Sequence, residues 1–255
     1  MTGPLAIARD RDGKLLRLRL NRPRANLIDG EMISALSAAF DDQLSDTNLC
    51  GVLLEAEGSD FSFGASVEEH LPGACDGMLR GLHDLVRKMV EAPTPILVAI
   101  QGMCLGGGLE VALAGNLIFV APDAKLGQPE MKLGVFAPAA SCLLTERTGQ
   151  VFAEDLLLSG RNISGAEASA IGLAHVQADD PRAAALDYFD AHLAPKSASS
   201  LRYAVRAARS GFAERVKARL EAVETLYLQE LMATRDAVEG LKAFIAKRPA
   251  VWENC

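Results

Sequence analysis

Basic residues are in deficit. The 26 Lys and Arg stand against 33 Asp and Glu, a formal charge of −7. No cationic surplus remains to neutralise a phosphate backbone by counterion release, so nucleic acid is not an expected partner. Cysteine is scarce and irregular: Cys50, Cys75, Cys104, Cys142 and Cys255 form an odd set without a CxxC pair. That pattern argues against a disulfide framework or a zinc site and suits a reducing cytoplasm. Arg9, Asp10, Arg11 and Asp12 stand where a signal peptide needs apolar residues. The longest apolar region, 92–121, is interrupted by Pro93, Pro95, Gly106–Gly108 and Glu110, so a membrane span is not expected either. Neither G-x-G-x-x-G nor G-K-[ST] is present, which removes the usual dinucleotide and P-loop signatures. No metal-ligand cluster, internal repeat or low-complexity segment is visible.

What is present is a core-forming chain. Of its 255 residues, 49% are hydrophobic, enough for one large domain with a smaller appendage. Alternation in Leu16-Arg17-Leu18-Arg19-Leu20 predicts a half-buried strand. Asp29 is placed to cap a helix carrying Met32, Ile33, Leu36, Phe40 and Leu44 on one face. Gly51–Ala56 reads as a strand, 57–66 as a loop and Met78–Val90 as a helix. Pro95–Ile100 is apolar throughout, as a strand buried on both faces would be. A glycine turn, a short helix over Gly107–Ala114 and a strand over Leu117–Ala121 follow. Strands alternating with helices indicate α/β architecture with parallel pairing.

From about Gln150 onward the pattern is helical. Ser164 and Glu167 form a capping box. Helical periodicity fills much of Arg182–Leu193 and Ser197–Ala208, then Phe212–Met232, with Thr234 starting a last helix to about Lys247. A boundary near Pro195 divides the chain into 1–195, an α/β core, and 196–255, a helical region. The latter is too small to bury its apolar stripes alone, which points to packing on the core or on another subunit.

Three segments carry candidate chemistry. Gly102–Glu110 joins a buried strand to a helix, and its glycines permit close approach of backbone to ligand. Free N–H groups at the helix start favour negative charge, although a plain turn would look the same. Glu110 and Glu130 lie on consecutive connections of a parallel sheet, where two carboxylates can converge for general acid–base work. Taken singly, each would read as a solvated loop carboxylate. Phe61–Ser66 is a small-residue loop able to present N–H donors. His70 and His83 could approach the site through the loop and helix after Ala65, but lone histidines more often read as structural or solvated; His175 and His192 have no partner spacing, and Cys104 lacks a nearby His and reads as a small buried hydrophobe.

Phe61-Ser62-Phe63-Gly64-Ala65, Gly102 to Glu110 with its triple glycine, and Gly127-Gln128-Pro129-Glu130 with Leu133-Gly134 together resemble the enoyl-CoA hydratase/isomerase (crotonase) family. The likeness spans nearly the whole chain, from Leu18-x-Leu20-Asn21-Arg22-Pro23 to Glu239-Gly240-x-x-Ala243-Phe244-x-x-Lys247-Arg248. It implies an α/β spiral of ββα turns with a helical C-terminal region that makes trimers, often paired into hexamers. It implies an acyl-CoA thioester substrate, coenzyme A being part of the substrate, and no separate cofactor. By position, the N–H groups of Ala65 and Gly107 match an oxyanion hole for the thioester carbonyl. Loss of one such donor costs about 3 kcal/mol in other enzymes. Glu110 and Glu130 match the two hydratase carboxylates, the resemblance giving Glu110 the water and Glu130 the carbon-bound proton. Phe244 and Lys247 match contacts to the nucleotide end of CoA, though Lys247 also reads as a helix C-terminal lysine.

Two departures reshape the expected acyl site. Ser66-Val67-Glu68 stands where the family usually has Asp after the oxyanion alanine, and Val135-Phe136-Ala137-Pro138-Ala139-Ala140-Ser141 replaces a glycine-rich stretch. Phe136 and Pro138 stiffen the wall beside Glu130. With Ala25-Asn26, these segments resemble the cyclohexa-1,5-diene-1-carbonyl-CoA hydratases of anaerobic benzoyl-CoA breakdown. That resemblance implies a cyclic dienoyl thioester, with a linear enoyl-CoA hydratase or isomerase, or a non-catalytic CoA-binding relative, as alternatives.

Overall fold

The computed structural model describes residues 3–43 and 45–255. Leu44, expected on the apolar face of the first helix, lies outside them. The chain winds as a spiral. Its first turn runs through β1 (Leu5–Asp10) and β2 (Leu15–Leu20) to α1 (Gly30–Gln43); the second through β3 (Gly51–Ala56) to α2 (Cys75–Glu91). The third comprises β4 (Ile96–Ile100), β5 (Met103–Leu105) and α3 (Gly107–Ala114). The fourth has β6 (Leu117–Val120) and β7 (Lys125–Gly127), then α4 (Pro138–Thr148), α5 (Gln150–Ser159), β8 (Asn162–Ser164) and α6 (Gly165–Ala170). After β9 (Val176–Gln177) come α7 (Pro181–Tyr188), α8 (Ala198–Thr225) and α9 (Arg235–Ile245).

The first turn lays β1 and β2, and each later turn one strand, into a sheet that β9 completes as six strands of order β1-β2-β3-β4-β6-β9, parallel throughout except for the β1–β2 pair. Each turn then lays a second, shorter segment into another layer. Ile28 bridges Ala65, Ser62 bridges Cys104, and β5 pairs with β7 and β7 with β8. Successive connections are thereby stacked, and this stacking brings residues 65, 106–110 and 127–130 together.

Burial explains the elements. Every residue of β3 and β4 is buried, and α2 turns Met78, Leu79, Leu82, Leu85, Val86 and Met89 inward. Buried Glu55 on β3 is held by Arg17, Arg19 and Arg182 at 2.8, 3.3 and 2.6 Å. A buried carboxylate persists only when paired in this way. Asp29 caps α1 by accepting from Met32 N–H at 2.9 Å, and Ser164 and Thr234 cap α6 and α9 likewise.

The structure departs from the periodicity reading where elements are short or packed on several sides. β5, β7 and β8 have three residues each, too few for a period to register. β1 is an edge strand with four exposed central residues, so its pattern carries no buried face. In α4 the buried residues occur in runs, Pro138–Ala140 and Cys142–Leu144, rather than as a stripe. α8 is one helix of 28 residues instead of two. Arg209 anchors the expected break by donating to the carbonyls of Ala114 and Gly115, while Val216 and Leu220 enter the main core. Beyond α8 the residues Leu226–Glu230 wind as a π-turn, and α9 stops at Ile245, before Lys247.

Candidate active site

Gly106 makes the sharp exit from β5 at φ +49° and ψ −130°, a conformation open to glycine and hardly to other residues. The helix α3 begins on the next residue. A Cβ on Gly107 would lie 3.2 Å from the Ala65 nitrogen, so these two backbone positions are in contact. Neither Ala65 nor Gly107 donates its N–H to an acceptor among the described residues. Two neighbouring free donors, one at a helix N-terminus, are what a developing oxyanion requires.

Glu110 sits one turn into α3 and is 3% exposed. Its Oε1 accepts from the Ala140 N–H at 2.9 Å, in the first turn of α4. The departure at 135–141 therefore builds a helix N-terminus against Glu110, as well as forming wall beside Glu130. Burial pushes the Glu110 carboxyl up to about 7, against the lowering effect of the Ala140 and Ala139 amides. Glu130 lies in the single turn Pro129–Leu133, and its Oε1 would be 2.7 Å from a Cβ on Gly106. Burial, then the charge of Glu110, pushes Glu130 up to about 8. The pair is thus able to share a proton at neutral pH, which would let one member act as base and the other as acid.

Glu130 opens onto a cavity of about 660 Å³, lined also by Ala65, Val67, Glu68, Val135, Leu241 and Phe244. Six of the residues expected in the site, Ala65, Gly107, Val67, Glu68, Glu110 and Glu130, thus gather at or beside it, with Phe244 half-exposed at its edge. Ser66 turns its hydroxyl to Glu68 at 3.1 Å. Phe136 does not line the cavity; it stacks edge-on against Tyr227 at 5.3 Å. Lys247 is exposed, past the end of α9 and outside the lining.

Two further groups at the site were given no role in the sequence reading. His70, able by position to approach the site but read as a lone structural or solvated histidine, lines the cavity and holds the Ser66 carbonyl at 2.7 Å through Nδ1. Burial lowers its pKa, which favours the neutral ring. Gln128 is 1% exposed, and its carboxamide stands 3.1 Å from both Glu130 oxygens. With nitrogen inward it supports the carboxylate; a half-turn of the amide would support the protonated acid. The Gln128-Pro129-Glu130 motif was its only signal. His83 lies elsewhere, buried and bonded to Glu224 at 2.6 Å between α2 and α8.

The Enoyl-CoA hydratase/isomerase family matches residues 10–255. The chain belongs to that family. This enoyl-CoA hydratase/isomerase relative is 62% identical over 253 residues to the cyclohexa-1,5-dienecarbonyl-CoA hydratase of Thauera aromatica, covering 99% of this chain and 98% of that one. It is 34% identical to a probable enoyl-CoA hydratase of Bacillus subtilis, covering 91% and 92% of the two chains. Among solved structures, an enoyl-CoA hydratase/isomerase from Pseudoalteromonas atlantica superposes with a TM-score of 0.87 at 26% identity, over 98% of this chain and 99% of the other.

A pH prediction follows for this hydratase/isomerase site. Both carboxyls bind their protons more tightly here than at the ordinary value of 4.5. Their protonation stabilises the fold at acid pH, and that contribution is lost as pH rises through about 7 and about 8. The Tm should therefore fall from pH 5 to pH 9 by more in the wild type than in Glu110→Gln, as read by thermal melts. Turnover should be bell-shaped, lost below the lower apparent value as both groups protonate and above the higher as both ionise. A profile flat across that window would contradict the shared proton.

Proposed function

We propose that this protein hydrates cyclohexa-1,5-diene-1-carbonyl-CoA to 6-hydroxycyclohex-1-ene-1-carbonyl-CoA, in anaerobic benzoyl-CoA degradation. The observation that carries the reaction class is the pair of buried Glu110 and half-buried, cavity-facing Glu130 beside two free backbone donors. The 62% identity to the Thauera enzyme supports the cyclic diene as substrate.

The thioester oxygen accepts from the N–H groups of Ala65 and Gly107. Glu110, ionised and held by the Ala140 amide, takes a proton from water as the hydroxyl oxygen bonds to the ring carbon β to the carbonyl. The electron pair of that double bond moves toward the carbonyl, giving a dienolate stabilised at the two donors. Glu130, protonated, then delivers its proton to the far end of the second double bond, and the remaining double bond returns to conjugation with the thioester. Proton return from Glu110 to Glu130 through solvent closes the cycle. No electron transfer occurs, so the reaction asks for no cofactor. Among the described residues, no group of three or more His, Cys, Asp or Glu could hold a metal.

In this reading Val67, Glu68 and Phe244 meet the acyl and pantetheine portions, and Lys247 meets the nucleotide end from outside. Residues 196–255 close the site through Leu241 and Phe244 and contribute to a trimer or a dimer of trimers. Exposed Val151, Phe152 and Leu158 on α5 offer further apolar surface to such an assembly. No helix among the described residues is long and apolar enough to cross a membrane, and the reading places the enzyme in the cytoplasm. The test is turnover of the cyclic 1,5-dienoyl-CoA and crotonyl-CoA side by side, resolved by mass. Gain of one water on the ring substrate is expected. Gain on crotonyl-CoA alone would overturn the cyclic substrate and keep the acid–base pair.

A further inference from the structure

Tyr227 is 1% exposed, and its hydroxyl has no hydrogen-bond partner among the described residues. A buried hydroxyl left unpaired costs stability, and phenylalanine would avoid that cost at no loss of packing. Tyr227 does not itself line the cavity; it packs directly behind the cavity wall. Tyr227 sits in an apolar cluster with Val67, Leu133, Val135 and Leu241, all four of which also line the cavity. Its ring is fixed edge-on by Phe136, the residue that departs most from the family's glycine-rich stretch. It is carried by the π-turn that follows α8, a winding that re-aims side chains and recurs at functional sites. Burial above all raises its pKa well above the ordinary tyrosine value, and nearby Cys75, Glu130 and Glu110 add to the rise. The hydroxyl thus stays protonated and lies within the field of both catalytic carboxylates.

The proposed reaction supplies a need for such a donor. In simple hydration the new C–O and C–H bonds form on adjacent carbons, and two carboxylates can hold one water between them. In addition across the cyclic diene the two bonds form on ring carbons that face each other. The carboxylate that delivers the far proton cannot also hold the attacking water. A second group must then fix the water opposite Glu110. We propose that Tyr227 is a further catalytic residue, its hydroxyl donating a hydrogen bond to the attacking water and, in the reverse direction, to the ring hydroxyl. Tyr227 keeps its own proton throughout; the proton that leaves water goes to Glu110.

This inference rests on the dienoyl hydration above, and the test separates the two. Wild type and Tyr227→Phe are compared on the cyclic 1,5-dienoyl-CoA, with folded sites counted by binding of cyclohexanecarbonyl-CoA, which cannot be hydrated. Per folded site, kcat should fall by about 10²-fold, with KM within about twofold of wild type. The Tm of Tyr227→Phe should equal or exceed that of wild type, because an unpaired buried hydroxyl is removed. An unchanged kcat per folded site, with wild type active on the diene, would overturn the role of Tyr227 and leave the hydratase reading intact. A wild type inactive on the diene would overturn the hydratase reading and this inference with it.

Discussion

Glu110→Gln and Glu130→Gln should each lower kcat on the dienoyl thioester by about 10³-fold, with binding of a saturated acyl-CoA nearly unchanged. Glutamine preserves the volume of each side chain. At position 110 its carbonyl can still accept the Ala140 N–H at 2.9 Å, so the α3–α4 contact survives. What is lost is a site able to gain or release a proton. Each variant also removes one charge from the pair, so the carboxyl that remains should titrate as a single group, with Glu130 lower than in the wild type once Glu110 no longer repels it. Steady-state kinetics and pH–rate profiles measure both effects. Variants within about threefold of wild type would remove these glutamates from the chemistry.

Gly106→Ala should be nearly as damaging, losing about 10²-fold or more in kcat, although residue 106 contributes no side chain. An added Cβ would stand 2.7 Å from Glu130 Oε1, so the carboxylate must move. The backbone conformation of Gly106, at φ +49° and ψ −130°, adds strain of about 1–3 kcal/mol for a residue with a Cβ. Relief of either stress shifts the start of α3, and with it the Gly107 N–H. Effects of about 1 Å on reacting groups suffice for losses of this size. The measurements are kcat, the equilibrium binding of a saturated acyl-CoA and a thermal melt. Normal turnover would show that Glu130 has room the geometry denies it.

Much of this arrangement is legible in the sequence because it is local. Asp29 precedes the helix it caps by one residue, β3 and β4 are continuous apolar runs, and the glycine turn stands directly before α3. The three motifs carry the family resemblance, which implies the spiral, and the spiral aligns residues 65, 107, 110 and 130. The illegible part depends on contacts distant in sequence. The amide that holds Glu110 comes from Ala140, thirty residues on. Tyr227 reads as one more apolar residue between Leu226 and Leu228; only the π-turn and the Phe136 ring distinguish it. Phe136, expected at the substrate, packs edge-on against Tyr227 and is not among the cavity-lining residues. Helix α4 escaped notice because burial on several sides erases a helical stripe, and α8 stays continuous because Arg209 ties its middle to the end of α3.

Turnover of the cyclic 1,5-dienoyl-CoA in heavy water, with the product resolved by NMR, tests the central claim most directly. The account predicts one hydroxyl on the ring carbon β to the thioester carbonyl and one deuterium on the ring carbon opposite it. The remaining double bond should be conjugated with the thioester. Deuterium on the carbon that bears the thioester, with the second double bond unmoved, would mean simple hydration of adjacent carbons and would contradict the divided roles of Glu110, Glu130 and Tyr227.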